Sequence, residues 1–401
     1  MKIRVLLLIV VCATISFSQE PDVMRVVQGN TDFAIELYQK IRQESGNVFF
    51  SPYSISTALA MAFAGARGET ERQMAQALHF SLSQEQLHPA FSSLLSKLLS
   101  LQKQYEFNLN IANALWIEKS YELLSDFLDI NRRYYGANLF HLDFIMDPEG
   151  ARFKINDWIA TKTEGKIKDL LSEGVVKTLT RLVLTNTIYF KAEWDKQFSK
   201  QRTKPDDFWL APGKKMMVLM MNQKARYGYK DHEIVQVLEM PYKGRALAMV
   251  IVLPKTVDGL SDVESQLSRE NLEEWTSDLR GQEVEVFLPK FKTMESLNLK
   301  ENLRSMGMVD AFNSEADLSG MESRKELFIT DAVHKALIDV DEMGTEAAAA
   351  TAVVVGVTSA LPSEKAPVFK ADHPFLFLIR DKATKTILFM GRLIKPGGEE
   401  G

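Results

Sequence analysis

The chain has 401 residues, 46% hydrophobic and 25% charged, which are globular proportions and length enough for one large domain or two ordinary ones. A formal net charge of −5 excludes a basic surface of the kind that holds nucleic acid. The only cysteine is Cys12, so no disulfide can staple the fold and stability must come from a large core.

Lys2 and Arg4 precede the apolar run from Val5 to Val11, and the small residues Ser16 and Ser18 stand before Gln19. The pattern reads as a secretory signal peptide over residues 1–18, cut after Ser18, with a secreted product, extracellular or periplasmic. A lipoprotein anchor at Cys12 would want a small residue where the bulky Val11 stands. The apolar run is too short to span a bilayer, and no later segment is long enough, so no membrane partner is expected. There is no Asn-x-Ser/Thr sequon.

Helical spacing then covers Thr31 to Arg42. Ser51-Pro52 opens a second helix, to Ala66, as a cap followed by Pro in the first turn. Further helices are read over Glu69–Leu78, Gln84–Lys103, Tyr121–Tyr135 and Pro148–Thr163, with an alternating strand from Phe107 to Ile117. Later the strands dominate. Arg181 to Phe190 is a buried strand, and Val235–Met240 and Ala246–Leu253 flank a Lys243-Gly244 turn as a hairpin. Leu260 to Leu279 is helical in pattern. Glu283–Lys292 and Leu327–Val340 read as strands, and Pro374–Arg380 and Thr386–Leu393 as a second hairpin. No linker or internal repeat divides the chain. Partial alternation of helices and strands predicts an α+β fold with mainly antiparallel sheets.

The segment from Gly344 to Val355 begins as a helix former and ends as a strand former. Between Ala347 and Leu361 there is no Pro and no charge, so nothing bars the chain from the middle of a sheet. The competing local reading is an Ala-rich helix with Thr345 as its N-cap. Flanking strands favour the sheet.

Five motifs follow one another in order: Asn47–Ile55, Gly65–Thr70, Leu184–Trp194, Asp339–Ala347 and Asp372–Phe375. Together they make the chain resemble a serpin from about Asp32 to Pro396, with Asp339–Ala347 resembling the hinge of the reactive loop. The resemblance implies a single domain over residues 19–401, with a large central sheet, smaller sheets, about nine helices and an exposed reactive loop at about 343–366. It implies a monomeric suicide inhibitor, not an enzyme, with no cofactor and no metal. A serine protease attacks the loop and forms an acyl-enzyme. The cut loop inserts into the main sheet and the protease is trapped covalently. A cysteine protease could be trapped by the same motion.

The residues themselves favour an inhibitory member. Thr345, Ala347, Ala349, Thr351, Val353, Val355 and Val357 share one strand face, small first and larger later. Glu342, Gly344, Thr345, Ala347, Ala348, Ala349, Ala350 and Thr351 form the hinge. Met343 stands where a charged residue is commoner in the family. Burying three Val side chains contributes about 1.5–3 kcal/mol each, and new ladder bonds about 0.5–1.5 kcal/mol each before ordering costs. The net drive is on the order of ten kcal/mol.

Family spacing from Glu342 puts the bait bond at Thr358-Ser359, with Val357, Ala360 and Leu361 as neighbouring alternatives. No Lys or Arg lies between Ala347 and Leu361, so trypsin-like enzymes lack the cation they recognise. Elastase-, subtilisin- or chymotrypsin-like enzymes fit better.

The resemblance assigns Ser51, Ser54, Asn186 and His334 to a polar cluster that controls sheet opening, and Trp194 to the place where the loop first inserts. A buried, mutually satisfied polar set is the plainer reading. Lys97 and Lys103 alone mark the helix that binds glycosaminoglycans in some relatives, too few for such a partner. Lys214-Lys215 and Lys224–Arg226 read as solvated faces. His232-Glu233-Ile234-Val235-Gln236 misses the zinc motif at its second ligand. The alternatives to inhibition are a non-inhibitory carrier or chaperone, and a hydrolase using Ser51.

Overall fold

The computed structural model describes residues 2–345 and 366–397. Its helices are α1 (Lys2–Ile41), α2 (Pro52–Phe63), α3 (Gly68–Ala77), α4 (Gln84–Tyr105), α5 (Ser125–Tyr135), α6 (Pro148–Lys162), α7 (Leu260–Ser265), α8 (Arg269–Thr276) and α9 (Lys300–Ser305). The first strands are β1 (Val48–Phe50), β2 (Asn108–Glu118), β3 (Asn138–Leu142), β4 (Leu182–Glu193), β5 (Lys204–Ala211), β6 (Lys214–Asp231), β7 (Val235–Pro241) and β8 (Leu247–Pro254). They are followed by β9 (Arg280–Pro289), β10 (Phe291–Asn298), β11 (Asp331–Val340), β12 (Gly344–Thr345), β13 (Val368–Lys370), β14 (Phe375–Asp381) and β15 (Ile387–Leu393).

One sheet has nine strands, ordered β1-β15-β14-β8-β7-β6-β9-β13 with β5 on β6. The other has six, ordered β10-β11-β12-β4-β2-β3. In the six-stranded sheet β4 and β11 run parallel, from Val183 opposite Asp331 to Tyr189 opposite Leu337. Beyond that point they part, and β12 lies between them. The main core fills one face, where Leu184, Ile188, Phe190 and Ala192 of β4 meet Ala332, Ala336, Ile338 and Val340 of β11. A smaller core fills the other face, where Ile155 and Ile159 of α6 cover Trp116, Val183 and Val333. β4 is therefore buried on both sides over most of its length, as a central strand must be.

Three sequence expectations need correction. The helix expected from Thr31 begins at Lys2 and runs through Pro21; Val23, Val26, Val27, Phe33, Leu37, Tyr38 and Ile41 form its buried stripe, so from Val23 onward packing carries a helix that weak propensity had concealed. The strand expected over Glu283–Lys292 is two strands in two sheets, broken after Pro289, which supplies no ladder donor. The strand read from Leu327 starts at Asp331. The cationic stretches at Lys214-Lys215 and Lys224–Arg226 are solvated, as expected: they lie on the 18-residue β6, whose charges are exposed while Val218, Met220 and Tyr227 are buried.

Candidate functional site

The hinge is held at the top of the six-stranded sheet. Thr345 pairs with Val340 of β11 on one side and Ala192 of β4 on the other, and is 1% exposed. It is a strand residue, and the Ala-rich helix that it was read as capping would lie outside the described residues. A Cβ at Gly344 would stand 2.1 Å from the Ala192 carbonyl oxygen, so only glycine permits this approach of two backbones. The Trp194 amide donates to the Met343 carbonyl at 2.9 Å, and the Phe198 amide to that of Glu342 at 2.8 Å. Met343, where a charged residue is commoner in the family, is buried within this junction.

Trp194 ties the hinge down a second time, donating from Nε1 to the Asp341 carbonyl at 3.0 Å. Its ring stacks on Tyr242 with centroids 4.6 Å apart. The Tyr242 hydroxyl lies 2.8 Å from Thr345 Oγ1. Burial holds the Tyr242 phenol far above its usual range, so it stays neutral. Glu342 accepts from Lys290 Nζ at 2.8 Å and from the Thr203 hydroxyl at 2.8 Å. Burial pushes its carboxyl up, but the Lys290 bond, its own amide and Thr203 together bring it below the usual carboxylate range.

Lower down, Ser51, Ser54, Asn186 and His334 meet under the sheet, each fully buried. Ser51 caps α2, accepting at Oγ from the Ser54 amide at 3.2 Å, and donates to the Leu388 carbonyl at 2.6 Å. The Ser51 amide donates to His334 Nε2 at 3.1 Å. Nε2 is therefore the acceptor nitrogen, and Nδ1–H donates to Asn186 Oδ1, its opposite number in the β11–β4 ladder. Asn186 Nδ2 reaches Ser54 Oγ at 2.5 Å and also Asn113 Oδ1. Desolvation drives the imidazole down to about 3, so it is neutral at pH 7. Ser51 Oγ does not face the ring, and nothing in the cluster is open to a substrate. A Ser/His catalytic arrangement is absent from these residues.

Sequence reasoning missed Lys290, Thr203, Tyr242 and Asn113. Asn113 carried a signal, a polar residue on an alternating strand, directly opposite Asn186. The other three come from distant segments and had none. The hinge residues Ala347, Ala348, Ala349, Ala350 and Thr351, and the bait bond Thr358-Ser359, lie outside the described residues.

A family model described as Serpin (serine protease inhibitor) matches residues 28–396. The leukocyte elastase inhibitor of Bos taurus is 45% identical over 377 residues, covering 92% of this chain and 98% of that protein. Serpin B3 of Homo sapiens is 41% identical over 389 residues, covering 92% and 99%. The crystal structure of Serpin48 from the insect Tenebrio molitor matches with a TM-score of 0.85 at 32% identity, covering 93% of this chain and 98% of that one.

Proposed function

The chain belongs to the serpin family of protease inhibitors and is not an enzyme, and from that premise we propose that it is a secreted suicide inhibitor that traps serine proteases by inserting its cut loop between β4 and β11. The observation that carries this reading is the position of Thr345, already laddered to both strands where they part.

Insertion has a defined register. From Thr345, each step forward along the loop meets one step back on both neighbours, so Ala347 would meet Phe190 and Ile338. Six residues forward, Thr351 would meet Asn186 on β4 and His334 on β11 at the same level. Its hydroxyl can accept from His334 Nδ1–H and donate to Asn186 Oδ1, replacing the bond that insertion must break. On the opposite face Ala348, Ala350 and Ala352 would lie on the side of the sheet that α6 covers, where Trp116, Val183 and Val333 are already packed and small side chains are the easiest to add. The alanine run thus suits insertion. A new strand antiparallel to both neighbours also replaces one parallel pairing, the weaker kind, with two antiparallel ones.

The target reading rests on the loop sequence and on the elastase inhibitor relatives. A Thr358-Ser359 bait bond flanked by Val357 and Ala360 fits a small apolar specificity pocket. The 1–18 segment supports secretion. The test is incubation with an elastase-type serine protease, followed by denaturing electrophoresis and mass spectrometry. A denaturant-stable adduct of protease plus inhibitor cut at Thr358-Ser359 is expected. Clean cleavage with all protease activity recovered would overturn the reading.

A further inference from the structure

Tyr242 lies in the turn between β7 and β8, so it belongs to the nine-stranded sheet, yet its hydroxyl meets Thr345 in the six-stranded one. Its ring is locked between Trp194, stacked at 4.6 Å, and Phe190, edge-on at 5.2 Å. Trp194 in turn holds the Asp341 carbonyl and the Met343 carbonyl. The Tyr242 and Thr345 hydroxyls are both buried and satisfy one another. A buried hydroxyl without a partner is costly, so each holds the other in place.

We propose that Tyr242 is a positioning residue for loop insertion: its hydroxyl pins Thr345 between β4 and β11 before any cleavage, fixing the register in which the cut loop enters. The proposal rests on the trapping mechanism above. Three consequences follow from the geometry. The inserting strand does not have to find its first pair, because Thr345 already occupies it. The side-chain bond reinforces a short ladder, since Thr345 pairs with β11 through a single residue and the segment pairs with β4 through two. Shifting by one residue would place Gly344 or Glu346 against Tyr242, and neither can supply a short hydroxyl to the buried phenol. After acylation, insertion competes with hydrolysis of the acyl-enzyme. A pinned start shortens the time in which water can win.

The test removes one hydroxyl at a time from the full chain. Tyr242→Phe keeps the ring stacking, Thr345→Val keeps the side-chain shape, and Thr345→Ser keeps the hydroxyl. Each variant is titrated against an elastase-type protease to give the stoichiometry of inhibition, and the rate of loop attack is measured separately. Tyr242→Phe and Thr345→Val should each raise the stoichiometry several-fold with the attack rate unchanged. The double variant should be no worse than either single one, and Thr345→Ser should stay near the parent. A parallel measurement needs no protease: amide exchange of the intact protein at residues 340–345 should speed up by about tenfold in Tyr242→Phe and in Thr345→Val, but not in Thr345→Ser. Unchanged exchange in both hydroxyl-less variants, or additive effects in the double variant, would overturn the pinning proposal. Absence of any covalent adduct with the parent protein would instead overturn the trapping mechanism, and the exchange result would still decide whether the pin exists.

Discussion

Lys290 Nζ stands 2.8 Å from Glu342 Oε2, and this pair joins the two sheets at the point where the loop begins. Lys290 is the single residue between β9 of one sheet and β10 of the other, and Glu342 lies between β11 and β12. Glu342 is 4% exposed and also takes the Thr203 hydroxyl. Replacing it by Lys would set two ammonium groups against each other beneath the hinge. Removing one partner of a buried pair costs about 3–5 kcal/mol, an upper bound here because Lys290 keeps partial access to water. Glu342→Lys should lower the melting temperature by several degrees, and a Lys290→Glu change in the same chain should restore part of it. Differential scanning fluorimetry of the singles and the double reads the coupling directly. The Glu342 carboxyl is held below its unfolded value, so its contribution is present above that value and is lost as pH falls through the lower, folded one.

His334 gives a second pH dependence of the same sign and a different window. Its folded value, about 3, lies below the ordinary 6.5. The unfolded chain takes up the proton first as pH falls. The neutral ring's contribution is therefore complete above about pH 6.5 and declines as pH drops toward 3, by at most about 1.4 kcal/mol per pH unit. Urea unfolding across this range should show that slope, and His334→Gln should flatten it. A parent protein as stable at pH 4 as at pH 7 would contradict the assignment of a neutral imidazole bonded to the Ser51 amide.

The register predicts a role for Thr351 that appears only after cleavage. Thr351→Val should leave the intact protein unchanged, because Asn186 and His334 bond to each other there. In the cleaved, inserted protein both would face a methyl group, losing about 1–3 kcal/mol for each buried group left unpaired. The rise in melting temperature on cleavage should shrink in this variant and recover in Thr351→Ser. An equal rise in Thr351→Val would place a different residue at that level and break the register.

The bait bond predicts specificity. Thr358→Arg supplies the cation that a trypsin-like pocket pairs with its buried carboxylate, so adduct formation should move from elastase-type to trypsin-type enzymes. Competition between the two proteases at equal concentration measures the switch. Unchanged preference would shift the bond to a neighbour such as Leu361.

Local chemistry made much of the fold legible. The Ser51-Pro52 start of α2, the strand around Asn186 and the β7–β8 hairpin follow from capping, apolar continuity and turn residues that lie close together in sequence. The part of α1 just ahead of Thr31 was hidden because Val23, Val26 and Val27 are poor helix formers that packing makes acceptable. The break at Pro289 was hidden because both halves are good strands, and only their sheets differ. At the site, residues that share a motif were readable, Trp194 and the hinge among them. Lys290, Thr203 and Tyr242 act on the hinge from other segments and other sheets, and no spacing in one dimension brings them together.

The most direct test of stored folding energy is the melting temperature of the protein before and after a single nick in the loop by a protease that it does not trap. Stored energy released on insertion should give a rise of tens of degrees, with the nicked chain resisting denaturant in which the intact one unfolds. A nicked protein that melts at or below the temperature of the intact one would contradict it.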